Sequence, residues 1–193
     1  LGIGACIAPA SDARVRTLVE TDAGVLPFQD YFVRHQCRPT VTGLRFDGAV
    51  EACLSPLARA ALAAPDLAAI ILCPSNPWLS LDPMLAIAEL RDCVAAAHVP
   101  RVAVSPLIAG QAIKGPTAKI MAELGLPLTS ASIAAHYRGL IDWLVIDQAD
   151  AAEAEAVRAH GCGVGLAPTL MRTDEDKQRL AKAVLALTGQ VRP

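Results

Sequence analysis

Ile70-Ile71-Leu72-Cys73-Pro74-Ser75-Asn76-Pro77 is an apolar run that stops at a polar turn bracketed by two prolines. The run is short and rich in β-branched residues, the signature of a strand buried on both faces. Trp78 to Leu90 follows and can start a helix. A strand that opens into a polar loop at its carboxyl end is where α/β sheets hold ligands. Ser75 offers a hydroxyl and Asn76 an amide there, and the prolines stiffen the turn. The plainer reading is a strand-to-helix turn with no ligand, so the rest of the chain has to decide.

Strand-like and helix-like segments alternate outward from this stretch. Residues 2–8 read as a strand, which places Cys6 inside it, and Ala69 to Cys73 as another. Ser55-Pro56 caps a helix to about Ala63, and Asp82-Pro83 starts one to about Ala97 by the same logic. Arg101 to Val104 is a buried strand, followed by a long loop through Lys114-Gly115-Pro116. Thr117 caps a helix that Gly125 stops. Further helices read over Ser132 to Arg138 and Ala151 to His160, and strands over Trp143 to Ile146 and Val164 to Ala167. Thr173 caps the last helix, with Asp174, Glu175 and Asp176 in its first turn. This is the pattern of a mainly parallel sheet covered on both faces, a three-layer α/β/α fold. Residues 14–46 break the alternation. They read as an inserted segment: strands over Arg14 to Glu20 and Val41 to Phe46, a turn at Asp22-Ala23-Gly24, and a short helix from Pro27 to Gln36.

Composition narrows the function classes. The 193 residues suffice for one domain with a sizeable core, and residues 1–193 are read as a single α/β domain. The chain is 53% hydrophobic with net charge −2. Its mean hydropathy is +0.40 and its pI about 6.1. Scattered charge of this size argues against nucleic acid and anionic membrane as partners. No apolar stretch reaches the roughly 18 residues of a membrane span. The 6 cysteines form no C-x-x-C pair and no zinc spacing, so reduced thiols and a cytoplasmic location are expected. The chain opens at Leu1 inside a strand-like run, which reads as a polypeptide truncated at its N-terminus.

Several residues can carry chemistry. Lys114, between Gly110 and Gly115, can hold a phosphate; read plainly, it is a solvated loop lysine. Neither the G-x-x-x-x-G-K-[ST] loop nor G-x-G-x-x-G is present. Phe28-Gln29-Asp30-Tyr31-Phe32-Val33 gathers three aromatics in a chain with 3 Phe, 2 Tyr and 2 Trp in all. A planar ligand can stack there, or the segment can simply staple the insert to the main sheet. His136 is more often a structural partner than a base in such a setting. Asp142, Asp147 and Asp150 can hold magnesium, although acids at strand ends are usually solvated. The catalytic residues and metal ligands stay open at this level.

In order and spacing these motifs resemble the 2-phospho-L-lactate transferase family (CofD type), which acts in biosynthesis of the deazaflavin coenzyme F-420. The matching stretches are Pro9-Ala10-Ser11-Asp12 with Val15-Arg16-Thr17, then Pro27 to Val33, and Cys73 to Pro77 with Ser80-Leu81-Asp82-Pro83. Val104 to Ile108 with Lys114-Gly115-Pro116 comes next, followed by His136-Tyr137, Val145-Ile146-Asp147 and Thr169-Leu170-Met171. The resemblance runs along nearly the whole chain, and it is the ordered set that is specific. It implies a Rossmann-like fold and a homodimer. It implies a reaction in which the terminal ribityl hydroxyl of the deazaflavin Fo attacks a GDP-activated phospholactate or phosphoenolpyruvate, releasing GMP, with Mg2+ offsetting the diphosphate charge. Ser75, Asn76, Ser80, Lys114, Gly115, Phe28 and Gln29 would bind the substrates and nucleotide. The family's opening Gly-Gly-Thr-Gly-Gly loop is absent, Ala10 stands where Met is usual, and Pro168 where Asp is usual. The chain therefore matches the later part of the pattern, and by itself it is expected not to catalyse the transfer. The alternatives are a YvcK-like regulator that binds a nucleotide sugar without transfer, and an inactive fragment.

Overall fold

The structure, a computed structural model, describes residues 4–113 and 115–189. The chain first forms an antiparallel sheet: β1 (Arg16–Thr21), β2 (Gly24–Pro27) and β3 (Val41–Asp47), in the order β2-β1-β3. Between β2 and β3 lies a wide helical turn, Asp30–Arg34. The segment read as an insert is thus a small sheet, with one more strand and a shorter helix than its sequence indicates. Pro27 ends β2 instead of opening a helix, because Leu18 of β1 pairs with it.

The main sheet has four parallel strands, β4 (Ile70–Leu72), β5 (Arg101–Val104), β8 (Trp143–Asp147) and β9 (Gly163–Ala167), in that order. A two-stranded hairpin, β6 (Leu107–Ile108) and β7 (Gln111–Ala112), follows β5. The helices are α1 (Pro56–Leu62), α2 (Asp82–Leu85), α3 (Ala88–Ala96), α4 (Thr117–Glu123), α5 (Ser130–His136), α6 (Ala154–Arg158) and α7 (Asp174–Thr188). The parallel sheet flanked by helices is the α/β architecture expected from the alternation.

Strand periodicity sorts the core. Ala103, Leu144 and Ile146 point to one face, where they pack with Ile120, Met121, Ile133, Tyr137 and Val157. Val102, Val104, Val145 and Ala167 point to the other and meet Leu180, Val184 and Leu187 of α7. Trp143 lies across Gly163 so closely that a Cβ on that glycine would overlap ring carbons. β4 has only β5 as a strand partner among the described residues, and its Ile71, on the α7 side, is 40% exposed.

Local differences from the sequence reading have identifiable causes. Residues 4–8, read as a strand, pair with no other strand, and Cys6 is exposed. Residues 1–3 lie outside the described residues. The backbone near there is tied to α1 instead: Ser55 donates to Pro9 O (2.7 Å) through its hydroxyl and to Ala10 O (2.9 Å) through its N–H. Cys73 follows the end of β4 and is exposed, not buried in a strand. The helix read from Asp82 to Ala97 is broken at Ile87, which is extended (ψ 107°). Leu85 and Ile87 are both buried, and an unbroken helix would turn residues two apart to different sides. Asp82 is not a cap. A wide helical turn, Pro77–Leu81, precedes it and is capped by Asn76. Thr117 is a buried first residue of α4, and Thr129 caps α5. Thr173 and Asp176 form the capping box of α7.

At the amino ends of the parallel strands sits a buried ion pair. The Arg101 guanidinium donates to both carboxylate oxygens of Asp142, through Nη2 (2.7 Å) and Nε (3.1 Å). Its Nη1 donates to the carbonyls of Ala95 and Gly139 at 3.0 Å. Removing one partner strands the other charge, so we predict that Asp142→Ala lowers stability by about 3–5 kcal/mol. Arg101→Met with Asp142→Leu should cost less than either single change, as read from urea midpoints. A double variant as weak as the sum of the singles would refute this.

Candidate functional site

A cleft of about 960 Å³ opens beyond the carboxyl ends of the parallel strands. Three loops wall it. Pro74, Ser75 and Asn76 follow β4, and Leu79 and Ser80 come from the wide turn behind them. Ser105 and Pro106 follow β5, with Ile108, Ile113 and Gly115 to Thr117 beyond. Thr169 to Arg172 follow β9, and Phe28 and Phe32 reach over from the antiparallel sheet. Parallel strands end together, so loops far apart in sequence meet at one edge.

The sequence-selected residues divide as follows. Ser75, Asn76, Ser80, Gly115 and Phe28 line the cleft. Gln29 is exposed and is not among the lining residues. Lys114 lies outside the described residues, although Ile113 and Gly115 on either side line the cleft. Of the aromatic cluster, the rings of Phe28 and Phe32 sit 5.4 Å apart at the cleft, whereas Tyr31 is fully buried in the core. Burial pushes the Tyr31 hydroxyl far above the ordinary tyrosine value, which fits a core ring and not a ligand contact. Ser105, Thr117, Thr169 and Arg172 are cleft residues that the sequence reading did not select. Ser105 and Thr169 share the signal that singled out Ser75, a small polar residue shortly after a strand end, whereas Thr117 and Arg172 carry no such signal.

Asn76 divides its side chain between two tasks. Oδ1 accepts from the N–H of Leu79 (2.9 Å) and caps the wide turn. Nδ2 is buried and has no hydrogen-bond partner. An amide donor left unpaired at a cleft wall is costly unless a ligand accepts from it.

The acids near the cleft serve its walls. Asp147 accepts from the N–H (2.7 Å) and hydroxyl (3.0 Å) of Thr169, and from Ala149 N–H (2.9 Å). Asp150 accepts from the N–H groups of Ala109 and Gly110 in the hairpin turn. Glu153 accepts from Ser130 N–H at the start of α5. Asp142 belongs to the ion pair with Arg101. The suggestion that Asp142, Asp147 and Asp150 hold magnesium is therefore not supported by their geometry. Among the described residues no group of three His, Cys, Asp or Glu side chains gathers as for a metal ion. Among the described residues the cleft lining offers hydroxyls, the Asn76 amide and the Arg172 guanidinium but no carboxylate, a set that does not fit Mg2+. His136 lies elsewhere: its Nε2 meets Asp82 at 2.8 Å, and its ring packs on Trp78 beside a smaller cavity of about 220 Å³.

Comparison with known proteins falls into place on this geometry. The fold is shared with the crystal structure of a member of the UPF0052 family from Bacillus halodurans. That match has a TM-score of 0.58 at 13% identity and covers 92% of this chain and 60% of that one. The 2-phospho-L-lactate transferase of Methanosarcina barkeri is 35% identical over 186 residues, covering 96% of this chain and 59% of the relative. The protein of the same name from Methanopyrus kandleri is 35% identical, over 99% of this chain and 60% of its own length. The phosphoenolpyruvate transferase of Streptomyces griseus is 32% identical, over 98% and 60%. The chain thus spans about three fifths of the length of these relatives. The family model for 2-phospho-L-lactate transferase CofD matches residues 1–185, and the chain belongs to that family. No helix among the described residues is long and apolar enough to cross a membrane.

Asp147 gives a test of how the third wall is held. Burial pushes its carboxyl up, but the donors from Ala149 and Thr169 outweigh this and hold it below the ordinary value of 3.8. A depressed carboxylate stabilises the fold fully above its ordinary value and ceases to as pH falls through the folded value. We expect Asp147→Asn to cost about 1–3 kcal/mol at neutral pH and to flatten the loss of stability in acid. Urea unfolding of both proteins, near neutrality and below the ordinary value, checks this. An acid slope equal to that of wild type would assign the effect to other groups.

Proposed function

We propose that the cleft is part of the active site of a transferase in coenzyme F-420 biosynthesis. It would move a phospholactyl or phosphoenolpyruvyl group from a GDP-activated donor to the deazaflavin Fo. Family membership supports the reaction class. The observation that carries the reading to this cleft is the unpartnered Asn76 Nδ2, in a cleft whose lining also offers Ser75, Ser80 and Arg172. Such a lining suits phosphate oxygens, which accept from amides and hydroxyls and pair with a guanidinium. The adjoining Phe28 and Phe32 rings in the same lining suit a planar ring system.

In this reaction the terminal ribityl hydroxyl of Fo attacks the phosphorus that carries the lactyl or enolpyruvyl oxygen. A new P–O bond forms, and the bond from that phosphorus to the bridging oxygen of the diphosphate breaks. GMP leaves with the bonding pair, and the hydroxyl proton passes to solvent. The chain's own part is to hold the attacking oxygen in line and to donate hydrogen bonds to the oxygens that gain charge. The described residues of the cleft lining present no set that fits a metal ion, and none of these steps runs through one. A homodimer and a cytoplasmic location go with this reading as further proposals.

Replacing Asn76 tests it in the full-length protein. Asn76→Ala loses both the cap and the donor. Asn76→Asp keeps an oxygen to cap Leu79 but removes the amide donor and adds a charge facing phosphate. We expect Asn76→Asp to retain most of the stability while lowering GMP release from Fo and donor by about tenfold or more. Wild-type turnover in Asn76→Asp would refute the role. A wild-type protein that binds GDP or a nucleotide sugar but ignores Fo would instead be a regulator of the YvcK-like kind.

A further inference from the structure

We propose that Asp150, which lies outside the cleft, is a positioning residue for the ligands bound in it. It would act by holding the β6–β7 hairpin in a strained turn. This proposal rests on the reading of the cleft as a transferase site.

The hairpin pairs Leu107 with Ala112 and Ile108 with Gln111, which leaves a two-residue loop, Ala109-Gly110. Both loop residues have positive φ, 50° and 64°. A tight hairpin of this kind favours Asn-Gly or Gly-Gly, because only such residues reach that conformation at little cost. Gly110 suits its place. Ala109 does not, since its Cβ crowds the backbone there. Backbone strain of this kind persists where the surroundings fix the segment by other means.

Here the means is visible. Asp150 is 5% exposed, and its two carboxylate oxygens accept separately from Ala109 N–H (3.0 Å) and Gly110 N–H (3.2 Å). A carboxylate that accepts two adjacent turn amides makes charge-assisted bonds in a dry setting. The turn it holds lies between two lining residues of the cleft: Ile108 precedes the loop, and Ile113 follows β7. Behind the hairpin, Leu107 is fully buried, so the base of the hairpin is fixed by packing and its tip by Asp150. Without the carboxylate, the strained turn would relax and shift Ile108 and Ile113.

The test compares full-length wild type, Asp150→Asn, Ala109→Gly and the double variant. An Asn side chain has only one carbonyl oxygen, so it cannot accept at both of the original positions. Amide hydrogen exchange at Ala109 and Gly110 should speed up about tenfold in Asp150→Asn, with the sheet amides unchanged. The KM for Fo or for the GDP-activated donor should rise about tenfold, while kcat stays within about threefold. Ala109→Gly alone should raise the melting temperature and leave the kinetics in place. Added to Asp150→Asn, it should bring KM back to within about threefold of wild type, because the turn then no longer needs the clamp. Unchanged exchange in Asp150→Asn would overturn the proposal, as would a loosened turn with an unchanged KM, or a loss confined to kcat. A wild-type protein with no turnover would overturn the transferase reading instead. The proposal would then stand or fall on exchange and on GDP affinity, measured by calorimetry in the same four proteins.

Discussion

The Arg101–Asp142 pair ties together the ends of the main sheet that face away from the cleft. Arg101 opens β5, and Asp142 immediately precedes β8. Their backbones also bond: Asp142 N–H donates to Arg101 O (2.8 Å), Arg101 N–H donates to the Asp142 carboxylate (2.9 Å), and Gly163 N–H of β9 donates to Asp142 O (2.8 Å). The side-chain pair thus joins β5 to the start of β8, the Asp142 backbone adds β9, and the guanidinium reaches the carbonyls at the end of α3 as well. A buried charge pair is not a cheap way to gain stability, but it strongly disfavours any register that separates the charges. Once the amino ends are aligned, the carboxyl ends fall level, and the loops that leave them can form one cleft.

At that opposite edge the loops are held by carboxylates. Asp147, which caps the short helical segment Gln148–Glu153, and Asp150 and Glu153 within it are spaced three residues apart, and the segment is kinked at Asp150. Each accepts from backbone N–H groups of a different segment: the loop after β9, the β6–β7 hairpin and the first turn of α5. These segments carry or support the cleft lining, so one short piece of chain after β8 sets the relative places of several walls. Carboxylates bonded in this way are engaged as acceptors, which explains why acids close to the cleft do not line it.

The antiparallel sheet is joined to the same edge through α4. Lys119 donates to Pro39 O (2.9 Å), and Glu123 accepts from Val41 N–H (2.9 Å) at the start of β3. Lys119 and Glu123 are themselves paired, and the Lys119 ammonium lies 5.9 Å from the Tyr31 ring centre. The first residue of α4, Thr117, lines the cleft. The helix thus links the wall of the site to the element that carries Phe28 and Phe32. Tyr31, between those two phenylalanines in sequence, turns inward and anchors the wide helical turn in the core.

The sequence by itself determined the class of fold and the loop after β4 as a wall of the cleft. Both rest on local signals: apolar runs of strand length, cap residues such as Ser55 and Thr173, and a polar turn at a strand end. Periodicity and capping act within a few residues, so one chain is enough to read them. Tertiary structure decided what depended on distant partners. Residues 4–8 are apolar but meet no strand to pair with, and Tyr31 looks like its neighbours Phe28 and Phe32 until the core claims it. The break at Ile87 follows from burying Leu85 and Ile87 together. In sequence Asp147 and Asp150 could equally be solvated acids or metal ligands, and only the approach of Thr169 and of the Ala109-Gly110 turn shows where their lone pairs go. Hydrogen-bond acceptors are committed by whatever donors the fold brings within about 3 Å, and that proximity is a property of the packed chain, not of any one segment.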